Sequence, residues 1–169
     1  MNVVFSHGSK SHPWGQKITA LAKIAKEKNH QVDSIDYQDL ADPDERVDRL
    51  LAHPIICNQS SSNTVLVGSS MGGYVCAAAA EKINFKGIFL LAPAIHIKGL
   101  GIRQQNLISK SNKISIIHGF EDEVIPYQNS ISYAQQNRAS LYLLCSDHRL
   151  TSALAEIENI FANFLDSLS

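Results

Sequence analysis

Apolar residues along this chain fall into two recurring patterns. Short, mostly apolar runs lie at Asn2 to Ser6, Thr64 to Val67, Lys86 to Leu91, Lys113 to Ile117 and Ala139 to Cys145. Runs of that length predict strands, and Thr64 to Val67 and Lys86 to Leu91 read as buried ones. Gln31 to Tyr37 alternates instead, with Val32, Ile35 and Tyr37 set among polar residues, which predicts a strand near a sheet edge. Helical spacing fills the gaps. Trp14 to Lys28 carries Ile18, Leu21, Ala22 and Ile24 on one side, and Asn29 is a natural stop. Asp42-Pro43-Asp44-Glu45 opens a second helix running to Ala52, with acid at the positive end of the dipole. Tyr74 to Ala80 is alanine-rich and predicts a closely packed helix. Pro126 starts another, to about Gln136, and Thr151 to Leu168 places Leu154, Ile157, Ile160, Phe161, Phe164 and Leu165 at helical spacing. Asn58 to Asn63 reads as a serine-rich loop, Phe120 to Ile125 as an acidic loop, and Ala94 to Asn112 as a loop with one short helix. Strand and helix alternate, so the expected fold is a three-layer α/β domain: six mainly parallel strands with helices on both faces, in one domain over residues 1–169.

Composition narrows the function classes. Hydrophobic residues make up 44% and charged residues 18%, which suits a packed core and not a disordered chain. The formal net charge is -1 and no basic stripe is present, so a nucleic-acid partner is not expected. No apolar run is long enough for a membrane span, and MNVVFSHG lacks the basic start and apolar core of a signal peptide. Cys57, Cys76 and Cys145 form no C-x-x-C pair and are expected as reduced, buried thiols of a cytoplasmic protein. No histidine or carboxylate spacing suggests a metal, and no cofactor is expected. Nothing in the chain indicates its oligomeric state.

The chemistry concentrates at the ends of the predicted strands, the edge where ligands bind in such sheets. TVLVGSSMGGYVCAAAA, Thr64 to Ala80, combines a strand, a glycine-framed turn at Gly68 to Gly73 and a helix. That context suits a G-x-S-x-G nucleophile elbow with Ser70 at its tip. Gly68 and Gly72 are there because a Cβ at either would crowd the turn. No lysine follows the glycines, as a phosphate-binding P-loop would need. A serine hydroxyl needs a base, and His148, on the loop after the last strand, is the best candidate. The imidazole needs an acid, and Asp122 in HGFEDEVIP is preferred; its rival Asp147 adjoins the histidine and reaches its ring poorly. Backbone amides of Met71 and Ser9 are the expected oxyanion donors. His7, Pro93 and His96 are expected near the pocket, with His7 supporting its loop more than the chemistry. His12, His30, His53 and His118 are not expected to take part.

FSHGSKSHPWG, VGSSMGG, LLAPA, HGFEDEVIP and SDHRL together resemble the oxyanion loop, elbow, following strand, acid loop and histidine loop of the α/β-hydrolase superfamily. The resemblance spans nearly the whole chain and is nearest to small, lidless, bacterial esterase-like hydrolases. It implies a serine hydrolase with Ser70 as nucleophile, Asp122 as acid and His148 as base. Two features depart from the pattern. The oxyanion-loop strand is the first expected here, without the two leading antiparallel strands of the pattern, and Ala94 to Asn112 is expected to be too short for a large cap, which argues against bulky lipid substrates. The expected reaction is hydrolysis of a small carboxylic ester through an acyl-enzyme. A thioesterase or amidase using the same residues, and a non-catalytic binding protein on this fold, are the alternatives. Lys10, His12 and Arg149 hint at a small or polar acyl group.

Overall fold

The computed structural model describes residues 1–57, 61–99 and 106–168. Six strands form one sheet: β1 (Asn2–Ser6), β2 (Gln31–Ile35), β3 (Thr64–Ser69), β4 (Gly87–Leu91), β5 (Ile114–Gly119) and β6 (Ser140–Leu144). Their order is β2-β1-β3-β4-β5-β6, and every neighbouring pair is parallel. The alternating strand β2 lies at an edge, as its pattern predicts. Helices α1 (Gln16–Glu27), α2 (Pro43–Leu51), α3 (Pro54–Cys57), α4 (Met71–Lys82), α5 (Tyr127–Asn137) and α6 (Leu154–Asp166) complete the regular structure, with a 3₁₀ turn at Ser61–Asn63.

Strand periodicity separates two cores. Val3 and Phe5 of β1, Val65 and Val67 of β3 and Phe89 of β4 face α1 and α6, where Leu21, Phe161 and Leu165 are buried. Val4, Leu66, Ile88 and Ile116 point to the other face and meet α2, α4 and α5 through Val47, Leu50, Ala77 to Ala80 and Tyr133. This is the α/β-hydrolase layer arrangement, with alanine letting α4 press close to the sheet. Asp42 caps α2, its side chain accepting from the Asp44 and Glu45 amides at 2.7 and 3.3 Å. Asn29, the expected stop, follows α1 and its cap Lys28 with φ 61°, in the left-handed region. Among the described residues no helix is long and apolar enough to cross a membrane.

Four expectations need adjustment. The turn expected over Gly68 to Gly73 contracts to Ser70 alone. β3 runs on to Ser69 because Gly68 and Ser69 still pair with Leu90 and Leu91 of β4, and α4 begins at Met71. Beyond Ala52, where the second helix is expected to end, Pro54–Cys57 forms a further short helix, since Ile56 N–H and Cys57 N–H both donate to the His53 carbonyl. The described parts of 94–112 form no helix; Asn137 and Gln136 of α5 bind the backbone at Ser109 and Asn106 instead. Leu100 to Gln105, where the rest of that expected segment falls, and Asn58 to Ser60 of the serine-rich loop lie outside the described residues. Cys76 is buried, but Cys57 and Cys145 are exposed at the ends of their elements.

The sheet order reverses between β1 and β3. β1 leads to α1 on one face and β3 to α4 on the other, so a crevice opens above their carboxyl ends. Gly72 closes the floor of that crevice: a Cβ there would fall on the Ser6 carbonyl. Alanine for glycine inside a helix ordinarily gains about 1 kcal/mol. Here the added methyl meets backbone that cannot swing away, and overpacking of that kind costs about 1–3 kcal/mol. Gly72→Ala is therefore expected to lower the denaturation midpoint in urea, and a neutral or stabilised variant would show that the crevice floor yields freely.

Candidate active site

Ser70 sits between strand and helix with φ 55° and ψ -118°, a region costly for a residue with a Cβ. The surrounding backbone holds it there. Its amide donates to Leu91 O at 2.9 Å, and its carbonyl accepts from Gly73, Tyr74 and Ala94 at 2.9, 3.3 and 2.9 Å. That conformation, at a cost of about 1–3 kcal/mol for such a residue, turns the side chain off the end of the strand. Ser70 Oγ lies 3.1 Å from His148 Nε2. His148 Nδ1 lies 2.7 Å from Asp122 Oδ2. Residues from the ends of β3, β5 and β6 thus form one hydrogen-bonded chain.

Asp122 is the most heavily bonded member. Its carboxylate is buried. Oδ1 accepts from the Val124 and Ile125 amides, each at 2.8 Å, and Oδ2 accepts from His148 and also from His118 Nε2 at 3.0 Å. Burial alone would raise the acid's pKa. The Ile125 amide, His148 and the Val124 amide outweigh it and hold the carboxyl below its usual range. The group therefore stays ionised opposite His148.

Two buried histidines follow the same local plan, each lying at the carboxyl end of a strand just before a glycine. His118 Nε2 faces Asp122 Oδ2 and the Ile125 carbonyl, two acceptors, so Nε2 carries its proton and Nδ1 accepts from Ser130 Oγ at 2.7 Å. His7 Nε2 accepts from the Tyr37 amide at 3.0 Å, and its Nδ1 donates to Gly8 O at 2.8 Å. His7 therefore supports the loop after β1, as its sequence position suggests. His118, read from sequence as uninvolved, shares the acid with His148. The one available signal was its place at a strand end four residues before Asp122. Asp147 is occupied elsewhere, with Oδ1 accepting from the Arg149 and Leu150 amides at 3.0 and 3.1 Å and shaping the turn that carries His148.

The loops meet because side chains are missing where they cross. A Cβ on Gly119 would strike the Ser146 carbonyl, and a Cβ on Gly68 would strike that of Gly72. Phe120 N–H donates to Leu144 O at 2.8 Å and Glu121 N–H to Ser146 O at 3.0 Å, stitching the acid loop to the histidine loop. On the other side of Ser70, the Gly8 backbone approaches so closely that a Cβ there would stand 4.0 Å from Ser70 Oγ. Ser9 follows it, and Met71 opens α4, where first-turn amides have no partner within the helix. Arg46, buried on α2, donates to Leu40 O at 2.8 Å and makes longer contacts of 3.4 and 3.5 Å to Gly8 O and His7 O. It ties this loop down from 38 residues away, which sequence reading had not assigned to it.

Ser9, Ser70, His7 and His148 border a cleft of about 620 Å³. Pro93 and His96, expected near the pocket, are not on its wall. Pro93 is buried against α4, where a Cβ on Gly73 would lie 2.6 Å from it, and His96 is exposed. Among the described residues no cluster of three or more His, Cys, Asp or Glu side chains could hold a metal ion.

Burial is the main reason that His7 and His118 both have pKa values below the ordinary 6.5. Above that value each is neutral folded and unfolded, and stability is at its full level. Below it the unfolded imidazoles protonate while the folded ones resist, so stability falls with pH. Asp122, with its carboxyl held low, contributes the same sign only in more acidic solution, below about pH 3.9. Urea unfolding is expected to show falling stability from about pH 7.5 to pH 5.5, with a shallower fall in His118→Asn. A flat wild-type profile over that window would contradict the buried neutral histidines.

A crystal structure of a protein from Xanthomonas campestris pv. campestris, described as a hydrolase of the alpha/beta superfamily, superposes with a TM-score of 0.84 over 98% of each chain at 29% identity. Est1E from Butyrivibrio proteoclasticus gives 0.80 over 99% of this chain and 87% of its own at 18% identity. The esterase Pf2001 from Pyrococcus furiosus gives 0.77 over 99% and 83% at 12% identity. At those last two identities the likeness speaks for the fold alone. No curated protein matches the sequence. The fold is that of the α/β-hydrolase superfamily, and hydrolase and esterase are the names its structural neighbours carry. Residues 2–101 match the family model of UPF0227, an uncharacterised protein family, and the chain belongs to that family.

Proposed function

We propose that the chain is a serine hydrolase that cleaves a small carboxylic ester, with Ser70 as nucleophile, His148 as base and Asp122 as the acid that orients it. The reading rests on one observation above the others: the continuous contact from Ser70 Oγ through His148 to Asp122, at 3.1 and 2.7 Å, on a serine held at positive φ. Those lengths suit proton transfer.

In this scheme His148 Nε2 takes the hydroxyl proton as Ser70 Oγ bonds to the acyl carbon. The carbonyl electrons move onto oxygen, and the Ser9 and Met71 amides receive the oxyanion. The tetrahedral species collapses, its carbon–alkoxy bond breaks, and His148 gives the proton to the departing alcohol. Water then repeats the sequence, losing a proton to His148 and releasing acid and free Ser70. Ionised Asp122 holds the Nδ1 proton and stabilises the imidazolium in each half. The His118 Nε2–H group hydrogen-bonds to the same carboxylate oxygen and helps to fix the orientation of Asp122. No cofactor enters these steps.

Fluorophosphonate labelling of wild type beside Ser70→Ala tests the assignment, with 4-nitrophenyl esters of rising chain length as substrates. Wild type is expected to label and to hydrolyse, and Ser70→Ala to do neither while keeping its unfolding profile. Retained hydrolysis in Ser70→Ala, or no labelling of folded wild type, would remove the proposal. Asp122→Asn is expected to lower kcat by about 10³–10⁴-fold through loss of the required tautomer. A near-normal rate in that variant would take the orienting role away from Asp122.

A further inference from the structure

The wall of the cleft beside Ser70 carries three cations, Lys10, Lys17 and Arg149, and no aspartate or glutamate among its described residues. The chain as a whole has 15 basic and 16 acidic residues, so an all-cationic wall is a local segregation of charge. Among the described residues none of the three forms an ion pair. Lys17 is half-buried, and its Nζ donates to a neutral partner, the Arg149 carbonyl, at 2.6 Å. Burial pushes its ammonium below the ordinary value, against the opposing fields of Asp147 and Asp122. Both of those carboxylates are already engaged: Asp147 by two amides of its own turn, Asp122 by two amides and two imidazoles.

The neighbouring cleft, of about 420 Å³, is mainly acidic, with three carboxylates against one cation. It is bordered by Glu121, Glu123 and Asp147, and shares only Val124, His148 and Arg149 with the first. A ligand spanning the two would feel attraction for an anion at one end and repulsion at the other, which sets its direction past His148, a residue both clefts share.

We infer that the substrate is an ester carrying a carboxylate or phosphate, and that this anion is held by Lys10, Lys17 and Arg149 on the α1 side of Ser70, with the uncharged end over Glu121 and Glu123. The inference rests on the hydrolase reading for the reaction, but its binding half stands apart from it. An anion on the acyl side and one on the alcohol side would offer the cations the same chemistry, so both are probed. A charge-assisted contact in a partly solvated cleft is worth about tenfold in affinity.

The experiment compares kcat/KM for 4-nitrophenyl hexanoate, mono-4-nitrophenyl adipate and 3-carboxy-4-nitrophenyl hexanoate, in wild type, Lys17→Gln and Arg149→Gln. One anionic ester is expected to be favoured over the neutral one. That ratio should fall about tenfold in each variant, and should also fall in wild type at about 1 M salt, where screening acts within a few ångströms. Both anionic esters at or below the neutral one, or a ratio that the substitutions leave unmoved, would overturn the inference while leaving the hydrolase intact. Should wild type hydrolyse none of the esters, the hydrolase reading fails, and calorimetry with adipate against neutral adipamide decides the rest. Adipate binding that Lys17→Gln weakens would sustain the anion site, and equal or absent binding of the two would overturn it.

Discussion

Everything above the sheet depends on main chain meeting main chain with no side chain between. At Gly72 the start of α4 lies against the end of β1, and at Gly119 the end of β5 lies against the turn after β6. A single Cβ at either place would separate segments that must touch for the site to exist. The first contact brings the loop of Gly8 and Ser9 beside Ser70. The second brings Asp122 within reach of His148. Strand order supplies the third requirement, because the reversal between β1 and β3 leaves the space in which a ligand can sit.

Within that frame, Asp122 is the electrostatic centre. Two amides and two imidazoles converge on one buried carboxylate, and the two amides with His148 outweigh the cost of taking its charge out of water. Buried charge without such partners would cost several kcal/mol, so the donors around Asp122 are as necessary to the fold as to the proposed chemistry. His118 is informative in this respect. It is a neutral donor whose other nitrogen is fixed by Ser130, and it supplies a hydrogen bond without adding a second positive charge beside His148.

Much of this was legible in the sequence, and the limits follow a physical rule. Five apolar runs and one alternating stretch showed the six strands, since burial leaves a plain mark on composition. Ser70 was visible because strand, glycine and helix signals are consecutive. His148 and Asp122 could be chosen because each closely follows a strand. The roles of Arg46, His118 and Lys17 were not visible, because each depends on approach between distant segments. Arg46 meets Gly8 across 38 residues and Lys17 meets Arg149 across 132. On its own helix Lys17 looks like any solvent-facing lysine. The turn at Ser70 was drawn too wide for a related reason: strand pairing with β4 carries order right up to the serine, and local sequence does not show that partner. Pro93 and His96 were placed near the pocket because strand ends converge there, but a short stretch of chain beyond the edge was enough to turn one inward and the other out.

The stitching of the acid loop to the histidine loop uses amides and carbonyls: Phe120 to Leu144, and Glu121 to Ser146. Side-chain identity at those positions is therefore not what holds Asp122 and His148 together. Phe120 and Val124 are 52% and 67% exposed, and Glu121 and Glu123 are exposed beside them. The mouth of the site can change its shape and charge by substitution while the geometry beneath stays fixed. Such a scaffold separates the evolution of selectivity from the preservation of reactivity. It also offers an engineer four positions to randomise at little risk to folding.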